Sequence, residues 1–303
     1  MIDMSVEIAG VKLKNPVLTA SGTFGFGREY AELYDLSKLG AIAVKGLTSE
    51  PRNGNPPPRI AETPMGMINS VGLQNPGIKS FIENEIPFLR KFDTKIIANV
   101  SGNTVSDYVS ITEIASSSDI DFIELNISCP NVKAGGMAFG TGAASVGNLV
   151  AEVRKVCKKP LIVKLSPNVT DICEIARAAE ASGADALSLI NTILAMKIDI
   201  NTRRPVLKNN VGGLSGRAVF PIAVRMIWQV KNCVNLPVIG MGGVSTGADA
   251  VEMMLAGADA VAVGSVMFSD PYTPIKVIDG IHGYLEKHGF NKASDIIGAV
   301  NVY

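Results

Sequence analysis

The sequence predicts an α/β protein folded as a single closed (β/α)8 barrel, a TIM barrel, for two reasons. Eight short apolar runs alternate with segments of helical periodicity, and nearly every run ends in a polar residue or glycine. Alternation of this kind produces parallel strands joined by helical crossovers. Polar strand ends that converge on one mouth favour a barrel over an open doubly wound sheet. We expect residues 1–303 to form this one domain, with active-site loops at the C-terminal face of the strands.

The predicted strands are short and rich in apolar residues. They fall at 17–20, 41–44, 96–98, 122–125, 161–165, 186–190, 237–239 and 260–263. The main predicted helices carry apolar residues at helical spacing and span 78–91, 105–117, 145–158, 170–182, 216–233 and 246–256. In a parallel barrel, the residues that follow all eight strands meet at one face.

Groups able to bind a ligand follow these strands. In order they are Ser21-Gly22, Lys45-Gly46, Asn99, Asn126, Lys164, Asn191-Thr192, Gly242-Gly243 and Gly264-Ser265. Any single Asn or Ser is equally well explained as a turn residue. The complete ring is typical of a barrel active site.

Two lysines lie in or at the tip of otherwise apolar strands, Lys45 in Ala-Val-Lys-Gly and Lys164 in Leu-Ile-Val-Lys-Leu. Burying an ammonium group without a partner is costly. Pairing of each lysine with a barrel carboxylate is the structural alternative, since buried charges are usually paired. We favour an anionic or electron-rich ligand.

The glycines after the last two strands predict a phosphate site. Backbone N–H groups at Gly242, Gly243 and Gly264 can approach phosphate oxygens closely, and the following helix adds its positive end. Tight packing of strand against helix is the alternative explanation for these glycines. Neither the dinucleotide GxGxxG spacing nor the Walker lysine pattern is present, so nicotinamide binding on this chain is not predicted.

Composition and charge exclude several classes of protein. The 28 basic and 28 acidic side chains cancel, so no global field attracts nucleic acid or an anionic membrane. The N-terminus lacks the pattern of a signal peptide, and no apolar segment reaches membrane-spanning length. The four cysteines, at positions 129, 157, 173 and 233, form no CxxC pair, so no cluster or metal site is expected. A reduced, cytoplasmic enzyme fits these observations.

The segment from Glu124 to Asn131 carries the densest set of reactive groups. An apolar run ends there in two amides, a hydroxyl and the thiol of Cys129. Pro130 disfavours helix at Cys129, which places the thiol on a restrained turn. A rigid turn after a strand is a suitable position for a catalytic group.

Several motifs together resemble class 1 dihydroorotate dehydrogenases, the FMN barrels of pyrimidine synthesis, over essentially the whole chain. They are Asn15-Pro16, 20–25, Lys45-Gly46, 69–77, 126–131, 164–167 and 212–216. The wording Gly-Leu-Gln-Asn-Pro-Gly at 72–77 and the opening at 21–27 resemble the NAD-linked class 1B catalytic subunit more than the fumarate-using class 1A homodimer.

The resemblance implies oxidation of (S)-dihydroorotate to orotate in UMP biosynthesis, with FMN on this chain. Cys129 would remove the C5 proton, and the hydride from C6 would go to FMN. Electrons would pass to NAD through a partner subunit carrying FAD and [2Fe-2S], with a homodimer of the barrel inside a heterotetramer. His282 and His288 lie in the C-terminal segment, and we expect them on the surface rather than at the site.

The resemblance also assigns binding residues. Substrate would be held by Lys45, Asn69, Ser70, Val71, Gly72, Leu73, Asn126, Asn131, Asn191 and Thr192. FMN would be held by Ser21, Lys45, Gly46, Asn99, Asn126, Lys164, Ile190, Gly216, Gly242, Gly243, Gly264 and Ser265. Side-chain amides suit the ring amide and carbonyls of orotate, and Lys164 is expected to stabilise negative charge on the reduced flavin.

Three loops and three rival functions stay open. Residues 134–140 are expected to close over substrate, with an ordinary surface loop as the alternative. Residues 51–59 and 197–211 are expected to cover the site or to contact a partner. The rivals are a class 1A enzyme using fumarate, a flavin-free phosphate-sugar lyase with Lys164 as Schiff base, and a non-catalytic barrel that binds phosphate ligands.

Overall fold

The computed structural model describes residues 2–127 and 139–303, and its centre is a closed barrel of eight parallel strands. The strands are β1 (Val17–Thr19), β2 (Ala41–Ala43), β3 (Lys95–Val100), β4 (Phe122–Asn126), β5 (Leu161–Lys164), β6 (Ala186–Leu189), β7 (Val238–Met241) and β8 (Ala260–Val263). Each pairs with the next along the chain, and β8 pairs with β1 to close the ring, with Val261 opposite Val17. The predicted fold class and all eight predicted strands are confirmed.

Helices surround the barrel. They are α1 (Arg28–Ala31), α2 (Ile78–Ser80), α3 (Ile86–Leu89), α4 (Val105–Ser116), α5 (Ala143–Val156), α6 (Ile172–Ala181), α7 (Phe220–Lys231), α8 (Gly247–Leu255) and α9 (Thr273–His288). A π-helical turn, Phe81–Glu85, joins α2 to α3, and 3-10 turns span Leu36–Lys38, Phe139–Thr141, Arg217–Val219, Ser265–Phe268 and Ala293–Ile296. Every predicted helical segment therefore contains helix.

The core lies between the barrel and the helices. All five residues of β4 are buried, as are the strands on either side of it apart from the first residue of β3. Helix α5 buries Val146, Leu149, Val150 and Val153, which lie on one face because they recur every three or four residues. Glu124 and Asn126, the polar residues of β4, are buried next to apolar residues of the same strand. The barrel interior therefore contains a charged side chain as well as apolar ones.

Further strands, which were not predicted from the sequence, lie outside the barrel. Ile193–Met196, Val211–Ser215, Gly66–Asn69 and Ile60–Thr63 form a four-stranded antiparallel sheet in that order. Hairpins join Val6–Ile8 to Val11–Leu13 and Ile198–Asp199 to Arg204–Pro205. The second hairpin occupies part of the connection 197–211, and the four-stranded sheet continues on from residues 51–59.

In residues 2–127 and 139–303, no helix combines the length and the apolar character that crossing a membrane requires.

Candidate active site inside the barrel

A buried carboxylate lies inside the barrel between groups from three neighbouring strands. Glu124 on β4 is only 2% exposed. Its Oε2 accepts a hydrogen bond from Asn99 Nδ2 at 2.5 Å, and its Oε1 accepts one from Ser188 Oγ at 2.7 Å. Lys164 Nζ lies 3.9 Å from Glu124 Oε2, and Lys164 is 4% exposed. The site thus contains a buried pair of opposite charges.

Strand register explains why these residues meet. Asn99 is opposite Glu124 across β3 and β4, and Lys164 is opposite Asn126 across β4 and β5. Ser188 is opposite Lys164 across β5 and β6. Residues two apart on a strand point to the same face, so Glu124 and Asn126 both face the interior, as do their partners. The four consecutive strands β3 to β6 therefore supply one polar cluster.

A chain of side-chain amides continues from this cluster toward the strand ends. Asn126 Nδ2 lies 3.5 Å from Asn99 Oδ1, and Asn191 Nδ2 donates to Asn126 Oδ1 at 3.3 Å. Asn191 Oδ1 in turn accepts from the backbone N–H of Thr192 at 2.8 Å. The hydroxyl of Tyr108, from α4, donates to the Asn126 carbonyl oxygen at 2.7 Å. Three of the predicted site asparagines are thus linked to one another.

The ends of β1 and β2 contact the same region through glycines. A Cβ at Gly22 would lie 3.5 Å from Lys45 Nζ, and a Cβ at Gly46 would lie 2.9 Å from Asn99 Oδ1. The second distance is too short for a real side chain. Gly46 is therefore required so that the backbone after β2 can approach the Asn99 amide closely.

The predicted phosphate glycines are also packing positions. Gly243 has φ 83°, and a Cβ there would lie 2.8 Å from both Gly216 O and Phe220 Cβ. Gly216 itself has φ 103°. Tight packing, the alternative explanation for the glycines after the last two strands, is therefore supported for Gly243, and the phosphate role stays a prediction.

The amides before α8 are already occupied. Asp249 Oδ2 accepts from the backbone N–H of Ser245 at 2.9 Å and of Thr246 at 2.8 Å, and from Arg217 Nη1 at 2.9 Å. Burial alone would raise the pKa of the Asp249 carboxyl, but these hydrogen bonds outweigh it and lower that pKa below its ordinary value. A bound phosphate would have to use other amides than these two.

The predicted substrate segment 69–73 is held by two parts of the chain. Asn69 Nδ2 donates to Gly213 O at 3.3 Å. From the other side, Asn55 donates to the segment twice, through Nδ2 to Ser70 O at 2.8 Å and through its backbone N–H to Val71 O at 2.9 Å. Ser70 Oγ is buried and has no hydrogen-bond partner among the residues that the structure describes. An orphaned hydroxyl of this kind is suited to a ligand.

Five more predicted site residues lie at the same end of the barrel. Ser21, Ile190, Gly242, Gly264 and Ser265 directly or closely follow strands β1, β6, β7 and β8. Cys129, Asn131 and residues 134–138 of the predicted closing loop lie outside the described residues. His282 and His288 are exposed on α9, as predicted.

The other cysteines are poor candidates for a base. Cys157 is buried, as expected of a core residue, whereas Cys173 and Cys233 are half-buried. Burial of Cys233, together with its interaction with Cys173, raises the pKa of the Cys233 thiol to about 12. A thiol with that pKa carries almost no thiolate at neutral pH.

Sequence reasoning missed Glu124, Ser188 and Tyr108. A signal for Glu124 was present, because it is the one charged residue within the apolar strand Phe-Ile-Glu-Leu-Asn. Ser188 and Tyr108 carried no comparable signal, since a serine in a strand or a tyrosine in a helix is common. Their roles follow only from the register and packing of the folded chain.

The fold and the polar cluster define an enzyme of the (β/α)8 class with its site at the carboxyl ends of the strands. A family model described as dihydroorotate dehydrogenase matches residues 3–285. The chain belongs to the dihydroorotate dehydrogenase family, which confirms the resemblance drawn from its motifs.

Individual relatives are similar over nearly their full length. The chain is 59% identical to a protein of Alkaliphilus oremlandii over 98% of both chains and 59% identical to one of Phocaeicola vulgatus over 100% of both. It is 54% identical to one of Thermoanaerobacter pseudethanolicus, covering 99% of this chain and all of that one. Each of these relatives is named dihydroorotate dehydrogenase B (NAD(+)), catalytic subunit.

Proposed function

We propose that this chain oxidises dihydroorotate to orotate in pyrimidine biosynthesis, as the catalytic subunit of an NAD-linked enzyme. The observation that carries the proposal is the similarity of 54–59% identity, over at least 98% of the chain, to proteins named for that activity and subunit. The whole chain, 1–303, acts as one barrel domain in this proposal. The reaction takes place in the cytoplasm.

The residues present fit an FMN cofactor at the mouth of the barrel. A flavin ring offers carbonyl and N–H groups along one edge, and Asn99 and Lys164 provide amide and ammonium groups inside the barrel. Lys164 is buried, and in the parts of the chain that the structure describes its nearest carboxylate, Glu124, is 3.9 Å away, so the ammonium group retains hydrogen-bonding capacity for a ligand. Gly46 leaves the Asn99 amide accessible from the β2 side.

The cofactor would be held by residues at the ends of all eight barrel strands and by Gly216, which follows the outer strand Val211–Ser215. They are Ser21, Lys45, Gly46, Asn99, Asn126, Lys164, Ile190, Gly216, Gly242, Gly243, Gly264 and Ser265. When bound, FMN would supply the acceptor for the hydride from C6 of the substrate. Lys164 supplies positive charge beside the site, which favours a ligand that becomes more negative during the reaction.

Substrate recognition rests on amides and one ammonium group. Asn69, Asn126 and Asn191 each offer one donor and one acceptor, which match the alternating carbonyl and N–H groups of the orotate ring. Lys45 supplies positive charge for the carboxylate. Ser70 with Val71, Gly72 and Leu73, together with Asn131 and Thr192, completes this binding set.

Cys129 acts as the base in this proposal and takes the proton from C5 of dihydroorotate. A thiol with an ordinary pKa near 8.5 supplies enough thiolate at mildly alkaline pH. The oxidation therefore divides between a thiol on one side of the substrate and the hydride acceptor on the other. Residues 134–140 close over the substrate and exclude water.

Electrons leave this chain through a partner subunit. The similar proteins are named catalytic subunits of an NAD-linked enzyme, which implies a second subunit for electron transfer. In the proposal, that partner carries FAD and [2Fe-2S], and two copies of each subunit form a heterotetramer. The missing GxGxxG spacing on this chain is consistent with a nicotinamide site elsewhere.

Anaerobic mixing of the purified, FMN-loaded chain with dihydroorotate tests the proposal. The flavin absorbance should bleach, and neither NAD nor fumarate should restore it on the chain alone. Reoxidation by fumarate would move the chain to the class 1A type. A colourless protein would leave a flavin-free barrel such as a Lys164 lyase, and a yellow protein that dihydroorotate does not bleach would indicate ligand binding alone.

A further inference from the structure

Glu124 stands out among the buried groups because the proposed reaction gives it no task. It is a charged residue in the middle of an apolar strand, and 98% of its surface is buried. Burying a carboxylate is expensive unless it is paired and hydrogen-bonded. Three donors, from β3, β5 and β6, surround it. An ionised carboxylate, which only accepts, suits such a set of neighbours.

The carboxylate determines which way the neighbouring amides point. Because Glu124 Oε2 accepts a hydrogen bond from Asn99 Nδ2, Asn99 must direct its Oδ1 toward Asn126 and Gly46. Asn126 then directs Nδ2 toward Asn99, and its Oδ1 accepts from Asn191 Nδ2. One carboxylate therefore sets the donor and acceptor order of three successive amides.

The same carboxylate lies beside the Lys164 ammonium. At 3.9 Å the two charges attract without forming a close hydrogen bond, so Glu124 offsets part of the positive charge inside the barrel while leaving the ammonium hydrogens available. In a buried site this offset is much less screened than it would be in water. The net charge that a ligand meets is therefore smaller than Lys164 alone would give.

We propose that Glu124 is a positioning residue that orders the Asn99, Asn126 and Asn191 amides and moderates the charge of Lys164, and thereby tunes the reduction potential of the bound flavin. The inference rests on the proposed function. It divides into two effects that different substitutions separate. One is the orientation of the amides, and the other is the charge of the cluster.

Glu124→Gln removes the charge and keeps the hydrogen bonds. The introduced amide has one oxygen that can accept from Asn99 and one nitrogen that can donate to the Ser188 hydroxyl, so the order of the amides is retained. Glu124→Ala removes both the charge and the order. Asp121→Asn is a matched control, because Asp121 directly precedes the same strand but pairs with Arg90 and Lys95 away from the cluster.

The experiment measures the midpoint potential of FMN on each holoenzyme and the affinity of each apoprotein for oxidised FMN. Glu124→Gln should make the potential more positive, because an uncompensated Lys164 favours reduced, more negative flavin. We expect the affinity for reduced FMN, relative to that for oxidised FMN, to rise roughly tenfold. This corresponds to a shift of about 30 mV in the midpoint potential of a two-electron couple. The affinity of the Glu124→Gln apoprotein for oxidised FMN should change by less than about threefold.

Glu124→Ala should weaken oxidised FMN binding by roughly tenfold or more, because the amides lose their fixed order. Should that variant fail to fold, Ser188→Ala removes one anchor of the carboxylate, and affinity should fall by about fivefold. Asp121→Asn should change neither quantity. An unchanged potential in Glu124→Gln, or wild-type FMN affinity in the variants that disturb the order, would overturn the inference.

The two proposals fail in different ways. A wild-type chain that binds no FMN overturns both of them. A wild-type chain that binds FMN and is bleached by dihydroorotate, combined with a Glu124→Gln potential equal to that of Asp121→Asn, overturns the role of Glu124 alone.

Discussion

The hydroxyl of Tyr108 provides a direct test of how α4 supports the site. Tyr108 is 2% exposed, its ring lies edge-on to Phe139, and its hydroxyl donates to the Asn126 carbonyl at 2.7 Å. Tyr108→Phe keeps the ring and removes the hydroxyl group, and with it the hydrogen bond to Asn126. The same substitution at Tyr34 is a matched control, because the Tyr34 hydroxyl is buried but has no hydrogen-bond partner in the described parts of the chain.

The two substitutions should have different effects on the free energy of unfolding. Tyr108→Phe removes a hydrogen bond to a buried carbonyl, which typically destabilises a protein by about 1–2 kcal/mol. Tyr34→Phe removes a buried hydroxyl that makes no such bond, so it should be neutral or should stabilise by up to about 1 kcal/mol. We therefore expect the variants to be separated by roughly 1–3 kcal/mol in free energy of unfolding.

Urea unfolding of the two apoproteins, compared at equal m-value, measures this difference. Titration with FMN adds a functional measurement, since a shifted Asn126 backbone should reduce affinity by about threefold to tenfold in Tyr108→Phe alone. Equal stabilities of the two variants would refute the reasoning. So would a loss of FMN affinity in Tyr34→Phe as large as that in Tyr108→Phe.

Three more predictions test the cluster and its surroundings. Lys164→Gln should destabilise the apoprotein by about 2–4 kcal/mol, because the buried Glu124 carboxylate loses its neighbouring cation. In urea unfolding, adding Glu124→Gln to this variant should recover part of the lost stability. Strictly additive effects of the two substitutions would contradict an interaction between Glu124 and Lys164. Burial raises the pKa of Asp249, but its hydrogen bonds outweigh burial and lower it below 3.8. The carboxylate therefore stabilises the fold above about pH 4, and that contribution is lost as the pH falls through the lowered pKa. At pH 7, Asp249→Asn should be less stable than the wild-type protein by about 1–2 kcal/mol. On acidification to pH 3, the variant should lose less stability than the wild-type protein loses. Gly46→Ala should reduce FMN affinity at least roughly tenfold in a fluorescence titration, because its Cβ would meet the Asn99 amide. Gly283→Ala is the control, because Gly283 lies in α9 with open space around it. It should leave FMN affinity unchanged and stabilise the protein by about 0.5–1 kcal/mol.

The barrel was predictable because its signal is strong and repeated. A buried parallel strand is apolar over its whole length, as in Ala260–Val263, and a crossover helix such as Ala143–Val156 has apolar residues at helical spacing. The antiparallel sheet escaped prediction for a physical reason. Val211–Ser215 contains two adjacent glycines and Gly66–Asn69 begins with one, so neither shows the alternation that marks a half-buried strand.

The α9 helix was also missed, although it carried a signal. Val277, Ile281 and Leu285 recur every four residues and are fully buried, and Pro274 lies in the first turn where proline is favoured. A count of apolar spacing over 273–288 would have found the helix.

The site was predictable in its residue types but not in its contacts. Polar residues after apolar runs identified Asn99, Asn126 and Lys164 from the sequence alone. The structural alternative for Lys164, a barrel carboxylate, also turned out to be present in Glu124. Which carboxylate this would be depends on the register of β4 against β5, and a one-residue slip would turn every side chain to the other face. Sequence alone does not fix that register.

Among the described residues, the polar cluster lies on four consecutive strands of the barrel, and this asymmetry separates two properties of the site. Strands β3 to β6 supply Asn99, Glu124, Lys164 and Ser188. Strands β7 and β8 are followed by glycines, where an added Cβ would meet backbone or apolar side chains. Charge near the reacting ring controls the reduction potential, while backbone amides near a phosphate control affinity. Substitutions on the β3–β6 side should therefore change potential and affinity independently, as Glu124→Gln and Glu124→Ala are designed to show. Neutral substitutions at the glycines should change FMN affinity and leave the reduction potential unchanged, because they add no charge to the site.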